Sequence, residues 1–232
     1  VKLGKALDLT PVRTLADFLR ASMLRNRTAL ACLGRIRQKD NYLLQHSVNL
    51  SVLMSIFGKS MHQPEESLNQ VIMGALLHDI GKILTPDEIL HKPGRLPPEE
   101  FPVMKEHARH SRDLLQGIEG IGELTVLTAA QHHERMDGTG YPKGLTREQL
   151  SLPARMMGIA DVFEALTAPD RPYKAPMKLS QALTIMGRMV EDNHLDPDLF
   201  AVFVEEGVYL DYARTHLAED QIDSVDIASL PG

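Results

Sequence analysis

The feature that most constrains this chain is an apolar segment that ends in two adjacent ionisable residues. Residues 72–77 read Ile-Met-Gly-Ala-Leu-Leu, and His78 and Asp79 follow directly. This composition predicts a helix whose end lies near the protein core. Charge near the core is costly unless it is paired or bound to a metal ion. Imidazole and carboxylate both ligate metals, so we expect the rest of the chain to bring further ligands to this pair.

Helical periodicity dominates the remaining sequence. Apolar residues recur at three- and four-residue steps in the segments 11–37, 41–57, 67–79, 99–116, 124–134, 148–168, 180–192 and 197–209. The sequence shows no convincing strand alternation, internal repeat or low-complexity segment. The pattern therefore predicts an all-α protein, folded as one compact helical bundle.

The length of 232 residues fits one domain with a small appendage. We expect residues 1–38 to be a helical lead-in that links to an upstream domain, because the chain begins at Val1 and not at Met. Residues 39–215 should form the main domain. Residues 216–232 are acidic and poorly periodic, so we expect a mobile tail.

Composition excludes several classes of function. With 25 basic and 31 acidic residues, the formal net charge is -6, which argues against a binder of duplex nucleic acid. Local positive charge could still hold a small anionic ligand. A single cysteine excludes a disulfide within the chain and fits a reducing, cytoplasmic compartment. The sequence contains neither an apolar run of membrane-spanning length nor a secretory signal.

Seven candidate metal ligands lie at predicted helix ends or within apolar helical faces. They are His46, His78, Asp79, His107, His132, His133 and Asp161. Any one of them alone could be an ordinary packed residue, but together they would resist burial without a shared partner. Two divalent ions bridged by a carboxylate are a common arrangement for hydrolysing phosphate esters. Mixed imidazole and carboxylate ligands suit Fe, Mn, Zn, Co or Ni without selecting one.

Two motifs resemble a known family. His78-Asp79, followed by Ile-Gly-Lys82, resembles the HD signature of metal-dependent phosphohydrolases. The segment 132–142, His-His-Glu-Arg-Met-Asp-Gly-Thr-Gly-Tyr-Pro, resembles the HHE and DGxGYP signature of the HD-GYP subfamily. Segments 90–94 and 161–174 also match, and the resemblance covers about residues 40–210. It implies that residues 39–215 are a helical catalytic domain of a bacterial cyclic di-GMP phosphodiesterase.

The resemblance also implies residue roles. One metal would be held by His46, His78, Asp79 and Asp161, and the other by Asp79, His107, His132 and His133. Lys82 would contact the scissile phosphate or assist proton transfer. The guanine pocket would be lined by Gly140 and Tyr141, and a phosphate or guanine edge would be held by Arg171 and Lys174.

Several positions depart from the family pattern. Tyr42 stands where members with a third metal carry a glutamate, so we predict two metal ions, most readily Fe or Mn. Glu164 replaces a common aspartate, and Leu43 and Asn49 stand where the family usually carries Thr and Arg around the first histidine. Pro169 lengthens the segment before Arg171 by one residue. Glu134 has two open roles: it either orients a ligating histidine or stabilises the following turn.

These residues lead to three functional hypotheses. The first is hydrolysis of cyclic di-GMP to linear pGpG, or onward to GMP, by a metal-bridged hydroxide. The second is a weakly active or inactive module that binds cyclic di-GMP and acts through protein signalling partners; the departures at Tyr42 and Pro169 motivate it. The third is a phosphohydrolase for another nucleotide, which the GYP segment argues against.

Overall fold

The computed structural model describes residues 27–168 and 176–232 of the chain. Within these ranges ten α-helices follow one another: α1 (Arg27–Lys39), α2 (Asn41–Ser60), α3 (Glu65–Leu77), α4 (Asp87–Leu90), α5 (Phe101–Gln116), α6 (Glu123–Gln131), α7 (Leu152–Thr167), α8 (Leu179–Glu191), α9 (Pro197–Glu205) and α10 (Val208–His216). Short 3-10 segments occupy Ile80–Leu84, Arg147–Gln149, Glu219–Gln221 and Ile227–Ser229. The described ranges contain no strand, so the predicted all-α class is confirmed. None of the described helices is both long and apolar enough to span a bilayer.

Helices α2 and α3 form the centre of the bundle. Helix α2 packs against α3, α7 and α10, and α3 packs against α6. Leu50, Leu53 and Phe57 of α2 are fully buried, as is Ala75 of α3. Burying such side chains is the main stabilising term of the fold. It fixes the ends of these helices, where the candidate ligands lie.

An aromatic cluster joins the second half of the chain to this centre. The ring of Phe203 in α9 lies 5.3 Å from that of Phe57 and 5.2 Å from that of Phe163 in α7, both edge-to-face. Tyr212 of α10 lies 6.1 Å from Phe163 in the same geometry. Such ring pairs add stability beyond their buried area. The cluster holds α7, which carries Asp161, against α2, which carries His46.

Helix α5 approaches the end of α3 closely at Gly81. A Cβ atom on Gly81 would lie 2.0 Å from the His107 carbonyl oxygen and 2.6 Å from the Ser111 nitrogen. The Ser111 hydroxyl donates to the carbonyl oxygen of His78 and accepts from the Gly81 nitrogen. In the sequence, Gly81 is visible only as part of the HD motif. The structure shows that it also lets α5 bring His107 next to Asp79.

One predicted helix is divided in the structure, and the predicted lead-in contacts the bundle. The predicted helix 197–209 ends at Glu205, and α10 follows it to His216. Gly207 separates them with a φ of 68°, a left-handed conformation that favours glycine. At the other end, Ile36 of α1 is fully buried against the bundle. The described part of the expected lead-in therefore packs as part of the main body.

The acidic segment 216–232, expected to be a mobile tail, contacts the body of the protein. The Gln221 side-chain amide donates to the carbonyl oxygens of Thr167, at 2.9 Å, and Met177, at 3.0 Å. The Asp223 carboxylate accepts from the nitrogen and hydroxyl of Ser180 at the start of α8. These side chains connect segment 216–232 to the end of α7 and to the start of α8. They also link the residues that flank segment 169–175.

Candidate metal centre

The structure brings the seven candidate ligands together from five helices or their ends. They fall into two groups, one of His46, His78 and Asp79 and the other of His107, His132 and His133, with ligand atoms within 4.8 Å of one another in each group. Asp161 lies between the groups. Its Oδ1 is 3.2 Å from His46 Nε2, and its Oδ2 is 3.8 Å from His133 Nδ1. Each group could hold a metal ion.

Asp79 stands between the two groups and is almost fully buried. Its Oδ1 lies 3.3 Å from His107 Nε2 and 3.9 Å from His132 Nε2. Its Oδ2 lies 3.1 Å from His78 Nε2 and 2.6 Å from Lys82 Nζ. Each carboxylate oxygen therefore faces a different group, which is the geometry that a bridging ligand requires.

Three of the histidines are oriented by the backbone of the helices that carry them. Nδ1 of His78, His107 and His132 lies 2.8, 2.6 and 2.7 Å from the carbonyl oxygen three residues earlier in the chain. A carbonyl oxygen can only accept, so each Nδ1 carries the proton. In the neutral imidazole, Nε2 then presents a lone pair. All three Nε2 atoms point towards Asp79. The hydrogen bond from each Nδ1 to a backbone carbonyl fixes the orientation of its ring, as is usual for histidines that ligate a metal.

The donor set around Asp79 Oδ1 fits a metal ion. Nε2 of His107 and Nε2 of His132 are only 3.3 Å apart. Asp79 Oδ1 is buried and has no hydrogen-bond partner among the described residues. Three lone-pair atoms thus face one another with no proton between them, an arrangement that is costly in a buried site. A divalent cation would satisfy all three at once.

The ionisation states agree with this fit. Burial lowers the pKa of His107 to about 4 and that of His133 to about 3, and it holds the pKa of His132 well below its usual range. Burial alone would raise the pKa of Asp79, but the neighbouring His78 and Lys82 bring it well below its usual range. At neutral pH the imidazoles of His107, His132 and His133 are therefore neutral and the Asp79 carboxylate is ionised. These are the forms that bind metals.

His46 is held differently, by two carboxylates. Its Nδ1 lies 2.6 Å from Glu164 Oε2, while its Nε2 faces Asp161. Burial opposes charge on this imidazole, but hydrogen bonds to Asp161 and Glu164 outweigh burial and raise its pKa to about 10. The Asn49 side-chain amide donates to Glu164 Oε1 at 2.9 Å. The two departures Asn49 and Glu164 are therefore partners that together orient His46.

Lys82 lies at the edge of the centre. Burial disfavours its charged form, but the adjacent Asp79 carboxylate raises its pKa above the ordinary value. Its side chain keeps partial access to solvent, whereas that of Asp79 is closed off. The ammonium group therefore supplies fixed positive charge where an anion would enter.

The segment that carries Gly140 and Tyr141 is folded against the second group. A Cβ atom on Gly140 would lie 2.4 Å from the Arg135 nitrogen, so glycine permits the close crossing of the chain. The Glu134 carboxylate accepts from the backbone nitrogens of Lys143 and Leu145, at 2.7 and 2.9 Å. Glu134 thus stabilises the turn, which decides between the two roles left open by the sequence.

Tyr141 lies beside the second group of ligands and Tyr42 beside the first. The Tyr141 ring is 4.7 Å from the His133 ring, and its backbone nitrogen donates to the His133 carbonyl oxygen. The Tyr42 ring stacks on His46 at 6.3 Å and 13°. Tyr42 therefore presents a ring, and not a carboxylate, beside the first group. Pro169, Arg171 and Lys174 lie outside the described residues.

Two residues beside Tyr141, Phe101 and Lys105, were not singled out from the sequence. Phe101 begins α5 and is 43% exposed. Its ring lies 6.3 Å from that of Tyr141. Lys105 Nζ lies 4.9 Å from the centroid of the Phe101 ring and 5.1 Å from that of Tyr141. The only signal in the sequence is that both residues lie on the predicted helix of His107, four residues apart.

The sequence matches known proteins over most of its length. Residues 31–199 match the HD domain family. A cyclic di-GMP phosphodiesterase of Pseudomonas aeruginosa is 40% identical over 210 residues, which cover 90% of this chain and 50% of that protein. A 3'3'-cGAMP-specific phosphodiesterase of Vibrio cholerae is 40% identical over 167 residues, or 72% of this chain and 38% of that protein. The chain thus spans half or less of the length of these curated relatives.

A solved structure supports the fold. An HDG"Y"P protein of Bdellovibrio bacteriovorus superimposes with a TM-score of 0.55 at 19% identity, covering 70% of this chain and 51% of that one. At this level of identity the likeness concerns the arrangement of the helices alone.

Proposed function

This chain belongs to the HD domain family and carries the motifs of its HD-GYP branch, and on that basis we propose that it is a metal-dependent cyclic di-GMP phosphodiesterase. The observation that carries the proposal is the meeting of Asp79 Oδ1 with Nε2 of His107 and His132 in a buried site. The substrate is supported by the relatives named for cyclic di-GMP and by the GYP segment. The product is linear pGpG, which a second round of hydrolysis would convert to GMP.

We assign two metal ions, with Fe or Mn as the first candidates and Zn, Co or Ni as alternatives. One would be held by His46, His78, Asp79 and Asp161, and the other by Asp79, His107, His132 and His133. When bound, such a pair supplies a water-derived nucleophile and positive charge for the phosphate oxygens. Asp79 would be the bridge, because its two oxygens face different groups.

The remaining groups orient the substrate and move protons. Lys82 is assigned to the scissile phosphate, where its ammonium attracts the anion and can donate a proton to the departing ribose oxygen. Gly140 and Tyr141 are assigned to the nucleoside next to this phosphate, because the Tyr141 ring adjoins His133. Arg171 and Lys174 are assigned to a second phosphate or a guanine edge on the basis of the motif.

A turnover assay under anaerobic conditions tests the proposal. Protein loaded with Fe²⁺ or Mn²⁺ should convert cyclic di-GMP to pGpG, and elemental analysis should find two metal ions per chain. The Asp79→Asn variant should lose turnover, and it should bind less metal. A wild-type protein that holds two metals and leaves cyclic di-GMP intact would refute the substrate assignment. A panel with 3'3'-cGAMP and other cyclic dinucleotides would then identify the substrate.

A second candidate is a module that binds cyclic di-GMP with little turnover and acts on protein partners in the cytoplasm. The stacking of Tyr42 on His46, where a carboxylate would add a ligand, favours it. Calorimetry would show cyclic di-GMP binding without product formation. Restoring turnover with Tyr42→Glu would identify the missing carboxylate as the cause.

A further inference from the structure

We propose that Phe101 and Lys105 of α5 form a nucleobase platform that extends the site beyond Tyr141 and selects guanine. This inference rests on the proposed function, because it assigns a place to one base of the cyclic dinucleotide. The platform is defined by the rings of Phe101 and Tyr141 and the ammonium group of Lys105.

The first argument is position. Ring contacts run without a break from the metal centre to the protein surface. The His107 and Tyr141 rings lie 6.3 Å apart, those of His133 and Tyr141 lie 4.7 Å apart, and those of Tyr141 and Phe101 lie 6.3 Å apart. A base attached to a phosphate at the metal centre would therefore meet Tyr141 and then Phe101.

The second argument is the exposure of an aromatic ring at a polar rim. Phe101 is 43% exposed, although its ring contacts that of Tyr141 beside the metal centre. A single exposed apolar side chain is ordinary, but this one continues a row of rings. Base-on-ring stacking contributes about 1–3 kcal/mol and accepts any base, because every base has a π face. The ring thus provides affinity for a purine.

The third argument is the charge of Lys105. Its ammonium lies over both rings of the platform. The neighbouring acid, Glu106, is engaged by Arg109 and does not neutralise it. Guanine presents two acceptors, O6 and N7, along one edge, whereas adenine pairs N7 with an amino donor. When a base stacks in its place over the rings, the flexible Lys105 side chain can move its ammonium to this edge, where it favours guanine and repels the adenine amino group.

Steady-state kinetics on the metal-loaded protein test the platform. Phe101→Ala should raise KM for cyclic di-GMP about tenfold with kcat within about twofold, which corresponds to the loss of one stacked base. Phe101→Trp should restore KM. Lys105→Met should reduce the preference for cyclic di-GMP over cyclic di-AMP about tenfold. Val103→Ala, an exposed apolar residue on the same helix, is the matched control and should leave KM unchanged.

A substrate without a base separates the platform from the metal centre. Methyl p-nitrophenyl phosphate should be hydrolysed equally by wild type and Phe101→Ala. If KM for cyclic di-GMP is unchanged in Phe101→Ala, or if both substrates suffer equally, the platform is refuted while the proposed function stands. If the wild type hydrolyses the base-free diester and neither binds nor hydrolyses a cyclic dinucleotide, the proposed function fails and the platform fails with it.

Discussion

Glu164 holds His46 through a 2.6 Å contact between Oε2 and Nδ1, and the second oxygen of the same carboxylate accepts from Asn49. Neither Glu164 nor Asn49 follows the family pattern around the first histidine. The longer glutamate side chain reaches His46 from α7, and the amide of Asn49 fixes its remaining oxygen. The pair aims His46 Nε2 at Asp161.

Removing this support should weaken metal binding. Glu164→Ala should lower the affinity of the His46 group about 10- to 100-fold, the usual cost of losing an outer partner of a metal ligand. Metal titration followed by calorimetry measures it. Asn49→Ala should have a smaller effect, because the contact to His46 remains. Equal affinities in wild type and Glu164→Ala would show that Glu164 does not position His46.

Gly81→Ala should destabilise the protein. The new Cβ would overlap the His107 carbonyl oxygen, so α5 would have to move away from Asp79. Overpacking of this kind costs about 1–3 kcal/mol or more, and denaturant unfolding measures it. Gly34→Ala is the matched control, since nothing lies within 4 Å of its added Cβ on an exposed helix face. That variant should be neutral or slightly more stable.

The Asp196 side chain should contribute much more to the free energy of unfolding than the neighbouring Asp198 side chain. Its buried carboxylate accepts from Arg155 and Arg147, and it caps α9 by accepting from the backbone nitrogens of Asp198 and Leu199. Asp196→Ala leaves a partly buried arginine unpaired, for which about 3–5 kcal/mol of destabilisation is expected. The Asp198 side chain is 82% exposed, so Asp198→Ala should cost less than about 1 kcal/mol. Thermal and denaturant unfolding of both variants provide the comparison, and similar losses would contradict it.

Glu134→Gln should disturb the turn that carries Tyr141 and leave metal binding unchanged. The glutamine keeps one acceptor for the backbone nitrogens of Lys143 and Leu145 and leaves the other donor unsatisfied, at a cost of about 1–3 kcal/mol. We expect a higher KM for cyclic di-GMP, because Tyr141 lies in this turn, and an unchanged content of two metals. Loss of metal instead would mean that Glu134 acts on a histidine.

The sequence predicts best those features that are local in the chain. Helical periodicity predicted the α-helices, and the HD and GYP motifs indicated the metal ligands that the structure groups around Asp79. The break at Gly207 was missed, because α9 and α10 are both apolar at helical spacing. Contacts between distant segments were also missed. The Asn49–Glu164 pair joins residues 115 positions apart, and no local pattern signals it.

Metal binding should stabilise the folded protein. In the metal-free protein, Asp79 Oδ1 and the Nε2 atoms of His107 and His132 face one another without a proton, and a bound cation removes that cost only in the folded state. At a free metal concentration of 100 times Kd, one site adds about 2.7 kcal/mol. For a chain of this size that raises Tm by about 5–10 °C. Differential scanning calorimetry with and without Mn²⁺ measures the shift.

The Asp79→Asn variant is a control for the predicted rise of Tm on metal binding. An amide in place of the carboxylate can donate to a histidine Nε2 and relieve the clash of lone pairs, while it binds a cation less well. Mn²⁺ should therefore raise the Tm of this variant little above that of its own metal-free form. His91→Gln, a half-exposed histidine outside the centre, should show the full wild-type shift. A wild-type Tm that does not respond to Mn²⁺, Fe²⁺ or Zn²⁺ would mean that the convergence around Asp79 Oδ1 is not a metal site.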